Sequence, residues 1–334
     1  MKTKALELLQ YFFLLSLGLL LSWLFFKDLN FTDIQQVIST GNFYWCYLVL
    51  LVSILVYILR VLRWQMLIKA TGYSSGFMNL LAALSIGYFV NFAVPRLGEI
   101  TRCLSVKKNS NIPIMQLLGT VIIERVIDVL CLLLVLLLTL IFQFNYVIDF
   151  FYENIFKPIY HDIYSKLING NYFSLFIFLT ALICSFVLFY YFRKIILKKS
   201  PKLIVQFIQG LKEGFISIAK LKQKRIFILY TILIWVCYYL MTYFWFFVFD
   251  ETSILTWGAC LTILSIGTIG RSIPIQGGGM GAYHFLVGQV VLLYGITGIV
   301  GKTLATLIHA GQTFFTFAMG LVGLIIFFVG YWRR

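Results

Sequence analysis

Long apolar runs separated by short polar segments divide the 334-residue sequence. A helix that crosses a bilayer needs about 20 consecutive, mostly apolar residues. Lys2 and Lys4 precede the first run as in a signal peptide, but Lys27-Asp28-Leu29-Asn30 follows it instead of a cleavage site of small residues, so we expect it to be retained. Full spanning helices are predicted at Leu8–Phe26, Tyr44–Leu67, Ile114–Phe142, Tyr172–Phe192, Ile226–Phe249 and Thr303–Val329.

Two further apolar regions, Phe77–Val106 and Leu255–Ile296, are interrupted by proline and glycine near the middle. Both contain the pattern S-I-G followed by P-x-x-G, beginning at Ser85 and at Ser265. We expect each region to be a broken helical hairpin that enters and leaves the bilayer on one side, the first from the cytoplasm and the second from outside. The alternative is a pair of kinked ordinary helices packed through small residues.

These elements predict an all-α polytopic membrane protein with a single transmembrane domain over residues 1–334. About six spanning helices and two opposed re-entrant hairpins would form an inverted repeat, with repeat 1 near residues 44–142 and repeat 2 near residues 226–329. Irregular backbone at membrane depth is tolerated only against protein or a water-filled cavity. The hairpins therefore predict a polar cavity near the midplane.

Composition excludes a soluble protein, because 61% of the residues are hydrophobic and only 12% are charged. The net charge of +15 does not lie in a soluble basic domain, so we do not expect nucleic-acid binding. Six cysteines are scattered singly and predict neither a disulfide nor a metal site. The sequence contains no G-x-x-x-x-G-K-[ST] motif for ATP, and we expect no cofactor.

Basic residues indicate the orientation, because cytoplasmic loops of membrane proteins collect lysine and arginine. Their distribution predicts cytoplasmic N and C termini, with Arg60, Arg63 and Arg102 counted among the cytoplasmic charges. Residues 193–225 predict an amphipathic cytoplasmic connector on the inner leaflet, which either anchors a loop or senses lipid. The predicted location is a bacterial or archaeal cytoplasmic membrane.

The span that follows Pro113 carries Glu124, Arg125 and Asp128. Glu124 lies roughly 16 Å along the helix from Pro113, well inside the hydrocarbon zone. A charge at that depth costs a few kcal/mol unless it is paired or hydrated. The three residues form either a polar site for a lipid headgroup or coupling proton, or a structural pair between a glutamate and an arginine.

Further polar residues flank the two predicted hairpin turns. Gly277, Gly278 and Gly279 expose backbone N–H groups that could approach an anion such as phosphate, although a glycine turn that only reverses the chain fits equally well. We predict no catalytic residue. The predicted substrate-binding residues are Arg96, Glu99, Arg102, Glu124, Arg125, Asp128, Arg271, Gln276, Gly277, Gly278 and His284.

Four polar motifs resemble the family of the lysylphosphatidylglycerol synthase transmembrane region, or flippase-like domain, over about Leu6 to Phe328. The resemblance implies a role in moving lipids or lipid-linked intermediates between leaflets. The full-length synthases carry a soluble aminoacyltransferase domain that this sequence lacks, so aminoacylation is not expected, and many relatives have a carboxylate near the position of His284. The motifs are Arg60-x-x-Arg63-Trp64, Asn91-x-x-x-Pro95-Arg96-x-Gly98-Glu99-x-x-Arg102, Glu124-Arg125-x-x-Asp128 and Pro274-x-x-Gly277-Gly278-x-x-Gly281.

The leading hypothesis is a non-enzymatic flippase or scramblase that moves an anionic phospholipid or a polyprenyl-linked intermediate. Arg96, Arg125 and Arg271 would contact phosphate. One alternative is an intramembrane lipid-modifying transferase that uses Glu99 or His284. Another is an accessory membrane subunit that binds a cytoplasmic transferase through its basic loop. The sequence predicts no oligomeric state.

Overall fold

The computed structural model describes residues 15–27, 30–152, 156–157, 160–161, 221 and 223–332. The chain forms two compact units, one of Met1–Phe144 with Gly214–Arg334 and one of Asn145–Glu213. The predicted span Tyr172–Phe192 and nearly all of the predicted connector at residues 193–225 lie outside the described residues. Of the twelve described residues of the second unit, seven belong to the short helix Phe144–Phe151. The site described below lies in the first unit.

The regular elements of the described residues are helical, and no strand occurs among them. This confirms the predicted all-α class. Four helices are long and apolar enough to cross a membrane, at Tyr44–Ala70, Ile114–Phe142, Lys224–Val248 and Gly298–Val329. They coincide with four of the predicted spans. The described helices are α1 Leu15–Phe26, α2 Phe31–Ser39, α3 Tyr44–Ala70, α4 Phe77–Ala93, α5 Leu97–Asn109, α6 Ile114–Phe142, α7 Phe144–Phe151, α8 Lys224–Trp245, α9 Trp257–Ser272, α10 Ala282–Leu293 and α11 Gly298–Trp332.

The first broken region folds into two helices, α4 and α5, that reverse at Val94–Arg96 and pack against each other. Val94 is extended, as expected for a residue that precedes proline, and this conformation ends α4. Arg96 then adopts a left-handed conformation with φ of 69°, and α5 begins at the next residue. The Gly98 N–H donates a 2.7 Å hydrogen bond to Asn91 Oδ1 and joins the two arms beside the turn.

The second broken region has the same form, with α9 and α10 packed together on either side of the turn Gln276–Gly279. Ile273 is extended before Pro274 and ends α9. Gly277, Gly278, Gly279 and Gly281 all have positive φ, which explains the glycine-rich sequence. A Cβ at Gly279 would lie 2.7 Å from the Gly270 carbonyl oxygen, so the turn also packs tightly against α9.

The two hairpins occupy equivalent places among the long helices. The first hairpin packs through α4 on α11, and the second packs through α9 on α6, while α3 and α8 lie side by side. Gly87 and Gly267, from the repeated S-I-G pattern, each lie where the two arms of their hairpin meet. Each hairpin thus packs on the last long helix of the other predicted repeat, as expected for two repeats related by a two-fold axis. The inverted repeat itself stays a prediction.

We expect Gly98→Ala to destabilise the protein by about 1–3 kcal/mol, as overpacking of a core does. A Cβ at Gly98 would overlap the carbonyl oxygen of Gly87, and backbone atoms of both arms would have to move apart. Gly119→Ala is the matched control, because nothing lies within 4 Å of a Cβ there and alanine favours a helix. Thermal unfolding in detergent that shows equal effects of the two changes would contradict the close contact.

Candidate functional site

A buried group of ion pairs connects α3, α5 and α6. Arg102 Nη2 lies 2.6 Å from Glu124 Oε2, and Arg63 Nη2 lies 3.5 Å from Glu124 Oε1. The side chains of Arg63, Arg102 and Glu124 are at most 1% exposed. The Arg102 guanidinium also lies 4.6 Å from the centre of the Trp64 ring, and the residue is almost fully buried.

Asp128 extends this cluster by one turn of α6. Its Oδ1 accepts a 2.8 Å hydrogen bond from Arg63 Nη2, and its Oδ2 accepts a 3.0 Å bond from Arg60 Nη2. Arg60 Nε also donates a 2.7 Å hydrogen bond to the Tyr238 hydroxyl oxygen on α8. Both carboxylates of α6 are therefore neutralised by arginines from neighbouring helices.

These contacts bear on two expectations drawn from the sequence. Arg60, Arg63 and Arg102, which were counted among the cytoplasmic charges, are buried in the protein, and the side of the membrane on which they lie stays a prediction. The structural partner of Glu124 is not Arg125, because adjacent residues on a helix point about 100° apart. Arg102 and Arg63 take that role, and the Arg125 guanidinium points elsewhere.

A cavity of about 340 Å³ lies beside this cluster, between α3, α6, α8, α9, α10 and α11. Three arginines line it against a single described aspartate, Asp128, so its charge is net positive. The remaining wall combines aromatic and aliphatic side chains with hydroxyl and amide groups. The arginines are Arg60, Arg125 and Arg271, and the neighbouring aromatic residues are Trp235, Tyr238 and Tyr283.

Arg125 and Arg271 are the two arginines of the cavity that have no described carboxylate oxygen within 3.5 Å. Arg125 is 40% exposed, and its ion-pair contacts with Glu99 and Asp128 are long, at 3.7 and 4.0 Å. The Arg271 guanidinium stacks 4.4 Å from the centre of the Tyr283 ring, and no carboxylate of the described residues lies within 4 Å of it. Both side chains have donors left for an anion.

A second cavity of about 260 Å³ lies between the turns of the two hairpins. Pro95 and Arg96 line it from the first turn, and Pro274 and Gly278 from the second. Arg271 lines both cavities. Arg96 is the one non-glycine residue with positive φ among those described, and such strain is found mostly at functional sites.

The other predicted site residues are distributed around this centre. Gln276 and Gly277 belong to the glycine turn but do not line either cavity. His284 is buried and its Nδ1 accepts a 3.2 Å hydrogen bond from the Gly281 N–H, at the start of α10. The centre of its ring lies 4.6 Å from that of the His309 ring, and His284 lines neither cavity.

Several site residues were missed by reasoning from sequence. Arg60 and Arg63 are three apart within an apolar run, a spacing that places both on one face of α3 and marks them as paired charges inside the membrane. Tyr238, Trp235 and Gln312 carry no comparable signal, because aromatic and amide residues are common in membrane helices. Only the packing of α8 and α11 brings them to the cavity.

Comparison with known proteins relates the chain to one family of membrane proteins. A UPF0104 membrane protein of Methanocaldococcus jannaschii is 33% identical over 98 residues, which is 28% of this chain and 29% of that relative. No solved structure is significantly similar to the chain. The family model of the lysylphosphatidylglycerol synthase transmembrane region matches residues 11–320. Since this match covers most of the sequence, the chain is an integral membrane protein that belongs to the lysylphosphatidylglycerol synthase transmembrane region family.

Proposed function

We propose that the protein is a transporter that moves an anionic phospholipid, or a lipid-linked intermediate, between the two leaflets of a membrane. The observation that carries this proposal is the cavity of about 340 Å³ that holds three arginines and one aspartate among its described lining residues. Arginine donates paired hydrogen bonds to phosphate oxygens and suits this ligand better than lysine does. A net positive cavity inside a membrane protein favours an anion.

The size of the cavity supports a headgroup rather than a whole lipid. A volume of about 340 Å³ is at the lower end of the range for small-molecule sites, and two acyl chains would not fit. The apolar outer face of α6, which includes Leu130, Leu133 and Leu134, is exposed and suits contact with lipid chains. In the proposed transporter the headgroup enters the cavity while the chains stay in the bilayer.

Arg271 lines both cavities and supports a path between them. A phosphate held by Arg125 and Arg271 could pass to the second cavity, where Arg96 provides the next positive charge. In this proposal the two hairpins are re-entrant and opposed, and their turns separate the two sides of the membrane. Both ends of the chain and residues 193–225 are cytoplasmic, in a bacterial or archaeal cytoplasmic membrane. Labelling of a cysteine at position 200 by an impermeant reagent from outside intact cells would contradict this orientation.

The pairing of the acidic groups supports a transporter over an enzyme. A general base or nucleophile must be free to take a proton or attack the substrate. Glu124 and Asp128 are held by arginines, and His284 Nδ1 accepts a backbone hydrogen bond. The transferase alternative therefore rests on Glu99, whose Oε1 lies 3.7 Å from Arg125 and whose Oε2 has no hydrogen-bond partner in the described part of the chain. The alternative of an accessory subunit for a cytoplasmic transferase rests on residues 193–225, and co-purification of such an enzyme without lipid movement would favour it.

Lipid movement in vesicles tests the proposal. Purified protein is reconstituted with trace fluorescent phosphatidylglycerol or phosphatidylcholine, and dithionite added outside bleaches the label that reaches the outer leaflet. We expect phosphatidylglycerol to be bleached well beyond the outer-leaflet half, and phosphatidylcholine to remain near the level of protein-free vesicles. Absence of protein-dependent movement, or equal movement of both lipids, would contradict the proposal.

A further inference from the structure

The polar groups of the larger cavity indicate which anionic headgroup fits it. We propose that the ligand is a phosphodiester of a polyol, a headgroup that carries phosphate and hydroxyl groups but no ammonium group. This inference rests on the proposed function and specifies its substrate class. Its basis is the bonding state of the carboxylate, aromatic and hydroxyl groups in the cavity wall.

The carboxylate that lines the cavity has no oxygen free for an ammonium group, and Glu99, whose Oε1 lies 3.7 Å from Arg125, does not line the cavity. Asp128 is the one carboxylate among its described lining residues. Its Oδ1 bonds Arg63 at 2.8 Å and its Oδ2 bonds Arg60 at 3.0 Å, so both oxygens already have a cationic partner. A buried ammonium without a counter-charge, close to further arginines, would be repelled and poorly solvated.

Most of the aromatic rings of the cavity wall already have a cationic partner. Ammonium groups are often held against the faces of tyrosine and tryptophan rings. The Arg271 guanidinium already lies 4.4 Å from the centre of the Tyr283 ring, and that of Arg60 lies 5.7 Å from the centre of the Tyr238 ring. Trp235 meets Tyr238 edge to face with ring centres 5.8 Å apart. Two of the three rings are therefore already used by arginines of the site.

Neutral groups of the wall match the hydroxyls of a polyol. Within the described part of the chain, Trp235 Nε1 and Gln312 Oε1 are buried and lack a hydrogen-bond partner, so they offer one donor and one acceptor. The Tyr238 oxygen accepts from Arg60 Nε, which leaves its own proton to donate. Thr268 and Ser272 donate to backbone carbonyls at 2.6 and 2.8 Å and can still accept from a ligand hydroxyl.

Phosphatidylserine and phosphatidylglycerol provide the decisive comparison, because they carry the same net charge and differ in the ammonium group. In the vesicle assay described above, we expect phosphatidylserine to move about tenfold more slowly than phosphatidylglycerol, or slower still. Equal rates for the two lipids would overturn this inference and leave the proposed function in place. If neither lipid moves, both the inference and the proposed function are overturned.

Phosphatidic acid tests the hydroxyl part of the inference. It has the phosphate without the polyol and carries at least as much negative charge as phosphatidylglycerol. Attraction by the arginines alone would make it the faster substrate. We expect it to move more slowly than phosphatidylglycerol, because it leaves the donor and acceptor of Trp235 and Gln312 unmatched. A rate equal to or above that of phosphatidylglycerol would overturn the polyol assignment.

A gain of carboxylate tests the reason for the selectivity. Gln312→Glu places an acidic group at the cavity wall, and we expect the rate ratio of phosphatidylglycerol to phosphatidylserine to fall several-fold. Gln116→Glu on the exposed side of α6 is the matched control and should leave the ratio unchanged. An unchanged ratio in Gln312→Glu would overturn the claim that the cavity rejects an ammonium group because it lacks a free carboxylate. If Gln312→Glu fails to fold, the comparison of lipids in the unaltered protein still decides.

The same chemistry could serve a water-soluble glycerol phosphate instead of a lipid. Uptake of radiolabelled glycerol 3-phosphate into the same vesicles separates these sources. We expect no protein-dependent uptake while phosphatidylglycerol moves. Uptake without lipid movement would overturn the assignment to a lipid headgroup and the proposed function with it.

Discussion

Replacing Glu124 with glutamine is expected to destabilise the protein by roughly 3–5 kcal/mol, the usual cost of breaking one partner of a buried ion pair. Glutamine keeps the size of the side chain but removes the charge that neutralises Arg102. Arg102 is 1% exposed, and its 2.6 Å contact with Glu124 is the one carboxylate contact within 4 Å that the described residues give it. The loss should appear as a large fall in unfolding temperature in detergent and in the yield of folded protein.

Two further variants make this result specific. Glu99→Gln is the matched control, because Glu99 lies 3.7 Å from Arg125 and is 25% exposed, and we expect a change below about 1 kcal/mol. Glu124→Leu combined with Arg102→Leu removes both charges and should recover much of the lost stability. A similar fall for Glu99→Gln and Glu124→Gln would show that the buried cluster is no more important for stability than a partly exposed contact.

Replacing Arg125 with lysine is expected to reduce lipid movement about tenfold or more, with little change in stability. Lysine keeps the charge but loses the planar pair of donors that bind two phosphate oxygens. Arg125 is 40% exposed with contacts of 3.7 and 4.0 Å, so the fold depends little on it. The rate of phosphatidylglycerol movement and the unfolding temperature are measured on the same preparation.

Arg225→Lys provides the matched control for Arg125→Lys. Arg225 is exposed near the start of α8 and lines neither cavity, so the same chemical change should leave the rate unaffected. Arg271→Lys should resemble Arg125→Lys, since Arg271 lines the same cavity and would lose its planar stacking on Tyr283. A wild-type rate in Arg125→Lys would remove it from the site, and a fall in unfolding temperature would indicate a structural role.

The spanning helices and the breaks in the two hairpins could be predicted from the sequence because they depend on local properties. Apolar length sets the spans, and the observed bounds of α3 and α6 differ from the predicted ones by no more than a few residues. Proline restricts the residue before it, which ends α4 before Pro95 and α9 before Pro274. Re-entry into the membrane is not a local property, and it stays a prediction.

The pairing of charges could not be read from spacing along the chain. Glu124 and Arg125 are adjacent in sequence, yet Glu124 bonds Arg102 on α5, and Asp128 bonds Arg60 and Arg63 on α3. Positive residues near the end of an apolar run resemble cytoplasmic charges unless the partner carboxylate is known to lie on a packed neighbour. Only the burial seen in the fold distinguishes a paired arginine inside the protein from an arginine in a cytoplasmic loop.

His284 illustrates the same limit within the glycine turn. Its position beside the predicted hairpin turn suggested a ligand-binding role, which stays a prediction. In the fold its Nδ1 accepts a hydrogen bond from the Gly281 N–H, and its ring packs against Phe25 and His309. Arg125 and Arg271 lie far apart in sequence and were both expected at the site. The packing of α6 and α9 brings them to one cavity.

A structure of the protein in nanodiscs that contain phosphatidylglycerol tests the site most directly. Cryo-electron microscopy with a bound antibody fragment would resolve both the cavity and the surrounding lipids. We expect density for a phosphate group in the larger cavity, within hydrogen-bond distance of Arg125 and Arg271 and beside the paired Arg60 and Asp128. A well-resolved cavity without such density, while ordered lipids cover the outer surface of α6, would contradict the assignment of this cavity as the headgroup site.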